Sequence, residues 1–277
     1  MSTLFLVATP IGNLEDISAR ALRTLREVRL ITAEDTRHTG KLLHHFGIPT
    51  RLTSYFEHNE LRKLDDILNA LTEGDVALVS DAGTPALNDP GFLLVRAALQ
   101  AGHRVSPIPG PSAPIAALTA SGLPTDHFLY LGYLPRKASE RRKAIEIVKD
   151  LPYTLIWFET PHRMDEALAD LEDVLGDRQI AVAGELTKLF EEITRASLSE
   201  TRRIYREKPA RGEYTLVVAG HSGERATWDE GQVRATVLAA LAAGERPTPL
   251  AKRLAAESGW PRREVYALIT ELQKGAE

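Results

Sequence analysis

The sequence predicts an α/β protein with two α/β domains followed by a small C-terminal helical module. Three observations predict it. Over the first 120 residues short β-rich apolar runs alternate with longer stretches of helical period. A Gly/Pro/Asp break at 120–126 is then followed by a second series of β-rich runs, and the tail from about residue 227 holds helical stripes without a β-rich run. Alternation of this kind argues for βαβ units and a mostly parallel sheet. A length of 277 residues fits about two domains of roughly 150 residues each.

The elements follow in order. Leu4 to Ala8, Leu30 to Ala33, Val76 to Ser80 and Arg104 to Ile108 read as strands. They are near-continuous apolar runs, as expected when helices cover both sheet faces. Between them Ile17, Ala21, Leu22, Leu25 and Val28 form one helical stripe, and Leu61, Leu64, Leu68 and Leu71 another. A short Ala-rich helix is expected over 115–119. Beyond the break, Phe128 to Leu131, Thr154 to Phe158, Ile180 to Gly184 and Tyr214 to Ala219 are strand candidates, with a helix from Arg163 to Leu175. In the tail the stripes are Val233, Val237, Leu238 and Leu241; then Leu250, Leu254 and Ala255; then Val265, Leu268, Ile269 and Leu272. Breaks at Gly244–Pro247 and Ser258–Pro261 separate them, in the manner of a helix-turn-helix module. The domain boundaries expected are 1–120, 121–223 and 224–277.

Composition narrows the function. Hydrophobic residues make up 43% and charged residues 26%, which excludes a mainly disordered chain. The net charge of -4 excludes a uniformly basic nucleic-acid coat but not a local basic face. Cysteine is absent, so neither disulfides nor thiolate metal sites are available. The N-terminal apolar stretch is short, lacks a basic flank and runs into Pro10, unlike a signal peptide. No apolar run approaches the ~20 residues of a membrane span. The expectation is a cytoplasmic protein.

Four loops at predicted strand ends carry the chemistry. Thr9-Pro10-Ile11-Gly12-Asn13-Leu14 leads from a strand to a helix, where backbone N–H groups are free for a ligand; it equally reads as a tight turn with Asp16 as helix cap. Glu34-Asp35-Thr36-Arg37-His38-Thr39 gathers carboxylates, an arginine and an imidazole where ligands sit in open α/β sheets; the plain alternative is a polar loop in which Asp35 or Thr36 caps the next helix. Ser80 to Gly91 is a long Gly/Pro/Asp loop of the kind that is usually functional. There Gly83 permits close backbone approach, and Asp81 can accept hydrogen bonds. Pro107 to Pro114 stiffens a shelf in which Ser112 can cap the helix and also face a ligand; the plain alternative is a rigid turn.

In the second half Phe158, at a strand end, can stack on a heterocycle or simply belong to the core. Glu185-Leu186-Thr187-Lys188 and Gly212-Glu213-Tyr214 flank other strands. No histidine pair stands at metal-ligand spacing, so no metal is expected. Basic residues cluster at Arg136, Lys137, Arg141, Arg142 and Lys143; at Arg202, Arg203, Arg206, Lys208 and Arg211; and at Arg246, Lys252, Arg253, Arg262 and Arg263. On an otherwise acidic chain they suit a polyanion, or are solvated helix faces.

Taken together, ATPIGNLEDIS, AEDTRHTG, VSDAGTPALNDPG and PIPGPSAPIAAL, with GLPTDHFLYLGYLPRK, ETPHR and GELTK, closely resemble the bacterial ribosomal RNA small subunit methyltransferase I family. That family lies within the tetrapyrrole methylases, the class III methyltransferases that use S-adenosylmethionine (SAM). The resemblance spans nearly the whole chain. It implies two α/β domains with SAM in the cleft between them, a homodimer, and 2′-O-methylation of a cytidine ribose in the decoding region of 16S rRNA, free or within the small ribosomal subunit. It implies SAM contacts at Pro10, Asp81, Ala82, Gly83, Ser112 and Ala113, and adenine or ribose contacts near Phe158, Leu186, Glu213, Tyr214 and Thr215. Loop one here lacks the GxGxGxxxLLT stretch of the tetrapyrrole-methylating members. Ser80-Asp81-Ala82-Gly83 replaces their Gly-Asp-Pro. Both departures point away from a tetrapyrrole substrate.

A ribose hydroxyl needs help in losing its proton. By loop position Glu34, Asp35 and Glu185 are base candidates, and Asn13 can orient the hydroxyl. Lys188, Arg37, Arg136, Lys137, Arg141 and Arg142 are expected to meet RNA. Asp35→Asn is expected to lower turnover with SAM affinity nearly unchanged. The competing readings are a C-methylase of a tetrapyrrole and a non-catalytic protein that only binds SAM or RNA.

Overall fold

Five short runs, three of them mostly apolar, form the first sheet of the computed structural model, which describes residues 2–56, 59–207, 212–222 and 228–274. They are β1 (Thr3–Val7), β2 (Leu30–Ala33), β3 (Leu52–Ser54), β4 (Val76–Val79) and β5 (Arg104–Ile108). All pairings are parallel, in the order β3-β2-β4-β1-β5. The intervening helices are α1 (Ala19–Glu27), α2 (Thr36–His45), α3 (Glu60–Glu73) and α4 (Phe92–Gln100), followed by α5 (Ala113–Ser121). Alternating strand residues face opposite ways, and helices cover both sides. Val7, Ile31 and Val79 pack with Leu25 of α1 and Leu42 of α2. Leu4, Val76 and Leu78 pack with Ile67 of α3 and Leu94 of α4. Since every strand is parallel, the loops after β1, β2, β4 and β5 emerge on one edge of the sheet, where ligands bind in such folds.

The second sheet is mixed, in the order β6-β7-β10-β8-β9. Its strands are β6 (Phe128–Tyr133), β7 (Thr154–Glu159), β8 (Gln179–Gly184), β9 (Glu192–Ser197) and β10 (Tyr214–Val218), with helices α6 (Ala138–Val148), α7 (Met164–Leu175) and α8 (Leu198–Glu207) between them. β6 and β7 are parallel, and the other pairings antiparallel. Helix α5 serves this sheet: Ala117 and Leu118 pack on Ile156, Ala181, Ala183 and Val217. The alternate residues Leu155, Trp157, Val182 and Leu216 are buried too, which requires cover on the opposite face. Antiparallel pairing has a consequence for the site. Thr215 pairs with both Phe158 and Ala183, and Tyr214 with both Glu159 and Gly184, so three segments distant in sequence meet at one sheet edge.

The chain divides into two compact units, 1–149 with 153–220, and 150–152 with 221–277. Both sheets lie in the first. The second holds α9 (Glu230–Ala242), α10 (Pro247–Ser258) and α11 (Arg262–Lys274) around Val233, Val237, Leu250, Leu254, Val265 and Ile269. Asp229 and Gln232 form a capping box at the start of α9. Residue 227, where the tail was expected to begin, lies outside the described residues. Among the described residues no helix is long and apolar enough to cross a membrane.

Candidate functional site

Hydrogen bonds fasten the four N-terminal loops into one shelf. Thr9 and Gly83 exchange backbone bonds at 2.9 and 3.0 Å, and the Thr9 hydroxyl donates to the Ser80 carbonyl at 3.1 Å. The Thr84 hydroxyl donates to the Pro111 carbonyl at 3.2 Å. The Asp35 N–H donates to Asp81 Oδ1 at 3.0 Å. Gly83 adopts φ 81°, and a Cβ there would stand 3.3 Å from Ile11 Cγ2, so a side chain at this position is both strained and crowded.

The facing wall comes from the second sheet. The loop after β8 is held by Lys188 Nζ, 2.9 Å from Glu185 Oε1, and by the Glu213 N–H, which donates to Glu185 Oε1 at 3.1 Å. Glu185 and Thr187 lie at φ 49° and 65°. Non-glycine residues in that region cluster at ligand sites. The two walls touch: a Cβ on Gly12 would run into Lys188 Cγ.

Between the walls is a cavity of about 300 Å³. From the first wall it is bordered by Glu34, Asp81–Gly83, Asp89 and Ser112–Ala113; from the second by Phe158, Glu185, Leu186, Lys188 and Glu213–Thr215. Most of the residues implied as SAM contacts are therefore brought together, although they span 135 positions from Asp81 to Thr215. Ser112 occupies the N-cap position of α5 but makes no side-chain cap bond, contrary to the expected capping role, so its hydroxyl remains available. Sequence reasoning did not single out Asp89, Asn88, Leu87 or Tyr133, which also border the cavity. Tyr133 had no local signal: a shift of register between Tyr130 and Tyr133 pairs it with Phe158, with ring centroids 5.3 Å apart.

Several expected residues lie elsewhere. Pro10 borders an adjoining hollow rather than the main cavity. Asn13 accepts from the Glu15 N–H at 3.0 Å and caps the 3-10 turn Leu14–Asp16; it borders neither space. Ser18, not Asp16, caps α1 by accepting from the Ala21 N–H at 3.0 Å. Asp35 caps α2, accepting from the Arg37 N–H at 2.8 Å, and pairs with the Arg37 guanidinium at 2.7 Å. That pairing holds its carboxyl far below the usual carboxylate range, which makes it a poor proton acceptor. Glu185 is likewise lowered, first by Lys188. Glu34 behaves oppositely: burial, then the nearby Asp89, Asp81 and Asp35 carboxylates, push it up to about 7.

One expectation is corrected by burial. Arg141, read as an RNA contact, is only 2% exposed; its guanidinium donates to Asp170 at 2.6 Å and to the Arg136 carbonyl at 3.2 Å. It ties α6 to α7 and cannot meet a polyanion. Arg142 is half-exposed and paired with Asp170 and Asp173, while Arg136 and Lys137 are exposed. Arg202 and Arg206 share Asp165. Lys208 and Arg211 lie outside the described residues. In the helical unit Arg253 pairs with Glu245 and Glu257, and Arg246, Lys252, Arg262 and Arg263 are exposed.

SAM fits this donor set. Five carboxylates against one lysine suit a ligand that carries sulfonium and ammonium charges, and Phe158, Leu186 and Leu87 offer apolar area for an adenine ring.

A model of the tetrapyrrole (corrin/porphyrin) methylase family matches residues 3–202. The chain is 45% identical over 272 residues to the ribosomal RNA small subunit methyltransferase I of Halalkalibacterium halodurans, covering 95% of this chain and 93% of that one. It is 49% identical over 259 residues to the protein of that name from Pseudomonas aeruginosa, covering 92% of each. With the one from Escherichia coli O157:H7 it shares 46% over 275 residues, covering 98% and 95%. Among solved structures it is similar to diphthine synthase, with TM-score 0.62, 17% identity and 79% and 90% coverage. A cobalt precorrin-4 methyltransferase gives TM-score 0.59, 15% identity and 78% and 94% coverage. These last likenesses are of fold alone. By the family match and the near-full-length identity, the chain belongs to the tetrapyrrole methylases, in their ribosomal RNA small subunit methyltransferase I branch.

Proposed function

We propose that the chain methylates the ribose 2′-hydroxyl of a cytidine in the decoding region of 16S rRNA, with SAM as donor. The observation that carries the reading is Glu34. It is a carboxylate whose proton affinity is tuned to about neutral pH, at the border of an acid-rich cavity, in a chain nearly half identical to enzymes named for small-subunit rRNA.

When bound, SAM supplies a methyl group on a positively charged sulfur, and its transfer to a hydroxyl releases one proton. Phe158 and Leu186 would hold the adenine, Glu213 would lie near the adenine or ribose, and Asp81 and Asp89 would offer negative charge to the sulfonium and ammonium groups. Glu34 takes the hydroxyl proton; a base matched to working pH contributes about 10²–10⁴-fold. Positioning the two reactants can supply roughly 7–11 kcal/mol. Arg136, Lys137 and Arg142, with the exposed cations of the helical unit, hold phosphates. The working form is a cytoplasmic homodimer, a reading supported by kinship alone and tested by light scattering in solution.

Incubation of the chain with labelled SAM and unmodified small subunits, followed by mapping of the label, tests the activity. A label on a cytidine ribose is expected. A label on a base overturns the 2′-O assignment. Binding of SAM without transfer to RNA overturns the enzyme reading.

A further inference from the structure

Adjoining the acid-lined cavity is a second hollow of about 350 Å³. Asp81 borders both. The far side of the hollow is the face of α2 that carries His38, Lys41 and His45. Their spacing of three and then four residues places them in one row on a helix. All three are exposed, and none takes part in an ion pair among the described residues. Thr9, Pro10 and Leu14, from the loop after β1, form the opposite side, and Leu14 is 40% exposed there.

The two spaces differ in their ionisable lining. The main cavity is lined by five carboxylates and one lysine; the hollow by one lysine, two imidazoles and the shared Asp81. An acid-rich space suits a cationic donor, and a space with a basic row suits an anion. The α2 cap, Asp35, follows Glu34 directly, so α2 begins at the proton acceptor. Lys41 then lies roughly 9 Å further along the helix axis and His45 roughly 15 Å. A chain of sugar and phosphate groups entering here meets first a carboxylate that can accept hydroxyl protons and then a row of one ammonium and two imidazoles, all hydrogen-bond donors to phosphate oxygens.

We propose that this hollow is the substrate-strand subsite, in which Lys41, His38 and His45 hold the phosphodiester next to the methylated nucleotide while Pro10 and Leu14 lie against its sugar. The proposal rests on the rRNA methyltransferase reading and deepens it. It assigns Pro10 to the substrate side and gives α2 a role that neither its length nor its amphipathic pattern announces.

The test is steady-state methyl transfer by the full chain from labelled SAM to unmodified small subunits, with SAM affinity measured separately by calorimetry. Lys41→Gln is expected to raise KM for the subunit roughly tenfold and to make the fall of log kcat/KM with log salt shallower by about one. SAM affinity should stay at the parental value, and Lys41→Arg should restore KM. The double variant His38→Gln with His45→Gln should raise KM without altering SAM affinity. Parental KM and salt slope in Lys41→Gln, with transfer intact, overturn the subsite alone. A loss of SAM affinity in Lys41→Gln assigns the lysine to the cofactor cavity and also overturns it. If the parental chain transfers no methyl to RNA, the methyltransferase reading falls and the subsite with it.

Discussion

The hydroxyl of Tyr130 donates to Asn88 Oδ1 at 2.7 Å, joining the first strand of the second sheet to the third loop of the first. Asn88 reaches this position at φ 64°, and Gly132 leaves it room, since a Cβ there would stand 2.5 Å from Asn88 Nδ2. Burial keeps the Tyr130 phenol protonated and a donor. Tyr130→Phe is expected to cost about 0.5–1.5 kcal/mol of stability and to weaken SAM binding, because Asn88 borders the cavity. Denaturant titration and calorimetry read the two effects. Unchanged SAM affinity would mean that this bond does not hold the cavity's walls together.

With Glu34 as the proposed base, activity should depend on pH with a definite sign. Its carboxyl, pushed up to about 7, is neutral below that value and cannot take a proton. The kcat/KM of the parental chain should therefore rise as pH passes upward through about 7. Glu34→Gln should abolish that inflection and reduce turnover by about 10²–10⁴-fold. A pH profile of the variant parallel to that of the parent would move the base elsewhere.

Asp35 should matter for the helix rather than for proton transfer. Asparagine caps a helix as well as aspartate, so Asp35→Asn should keep near-parental turnover, against the expectation from loop position. Asp35→Ala, which removes the cap to the Arg37 N–H, should lower the thermal midpoint. Loss of turnover in Asp35→Asn with SAM affinity intact would return Asp35 to the role of base.

Arg141→Ala removes a buried cation and leaves Asp170 leaning on Arg142 alone. Breaking a buried pair from one side costs about 3–5 kcal/mol, reduced here by that second partner. Urea unfolding should show a clear loss of stability, and the folded variant should retain the parental KM for the small subunit. A raised KM at parental stability would show the opposite division of labour.

Much of the first sheet could be read directly. Leu30–Ala33, with Thr32 as its one polar residue, and Val76–Val79 are buried at every position, and only a strand covered on both faces wants such a run. β3 escaped the reading because Leu52–Ser54 is three residues long and only partly buried, too short for a period to show. β9 escaped it too: Glu192–Ser197 alternates polar residues along the far edge of the second sheet. Helix α4 was hidden by its own apolarity, since Phe92–Gln100 carries little contrast between its faces.

The order of the loops along the chain sufficed to place Asp81, Gly83 and Ser112 near one another, because parallel strands must deliver their following loops to the same edge. The meeting of Phe158, Glu185 and Thr215 was decided by antiparallel register, which no local pattern encodes. The difference between two neighbouring carboxylates also appears only in three dimensions. Glu34 and Asp35 are adjacent and chemically alike, yet one is partly buried among other carboxylates and the other is clamped by Arg37. Arg141 and Arg142 divide in the same way, one interior and one half-exposed. Residue type and spacing determine what a chain can form, whereas burial and the nearest opposite charge determine what each side chain does, and these depend on partners distant in sequence.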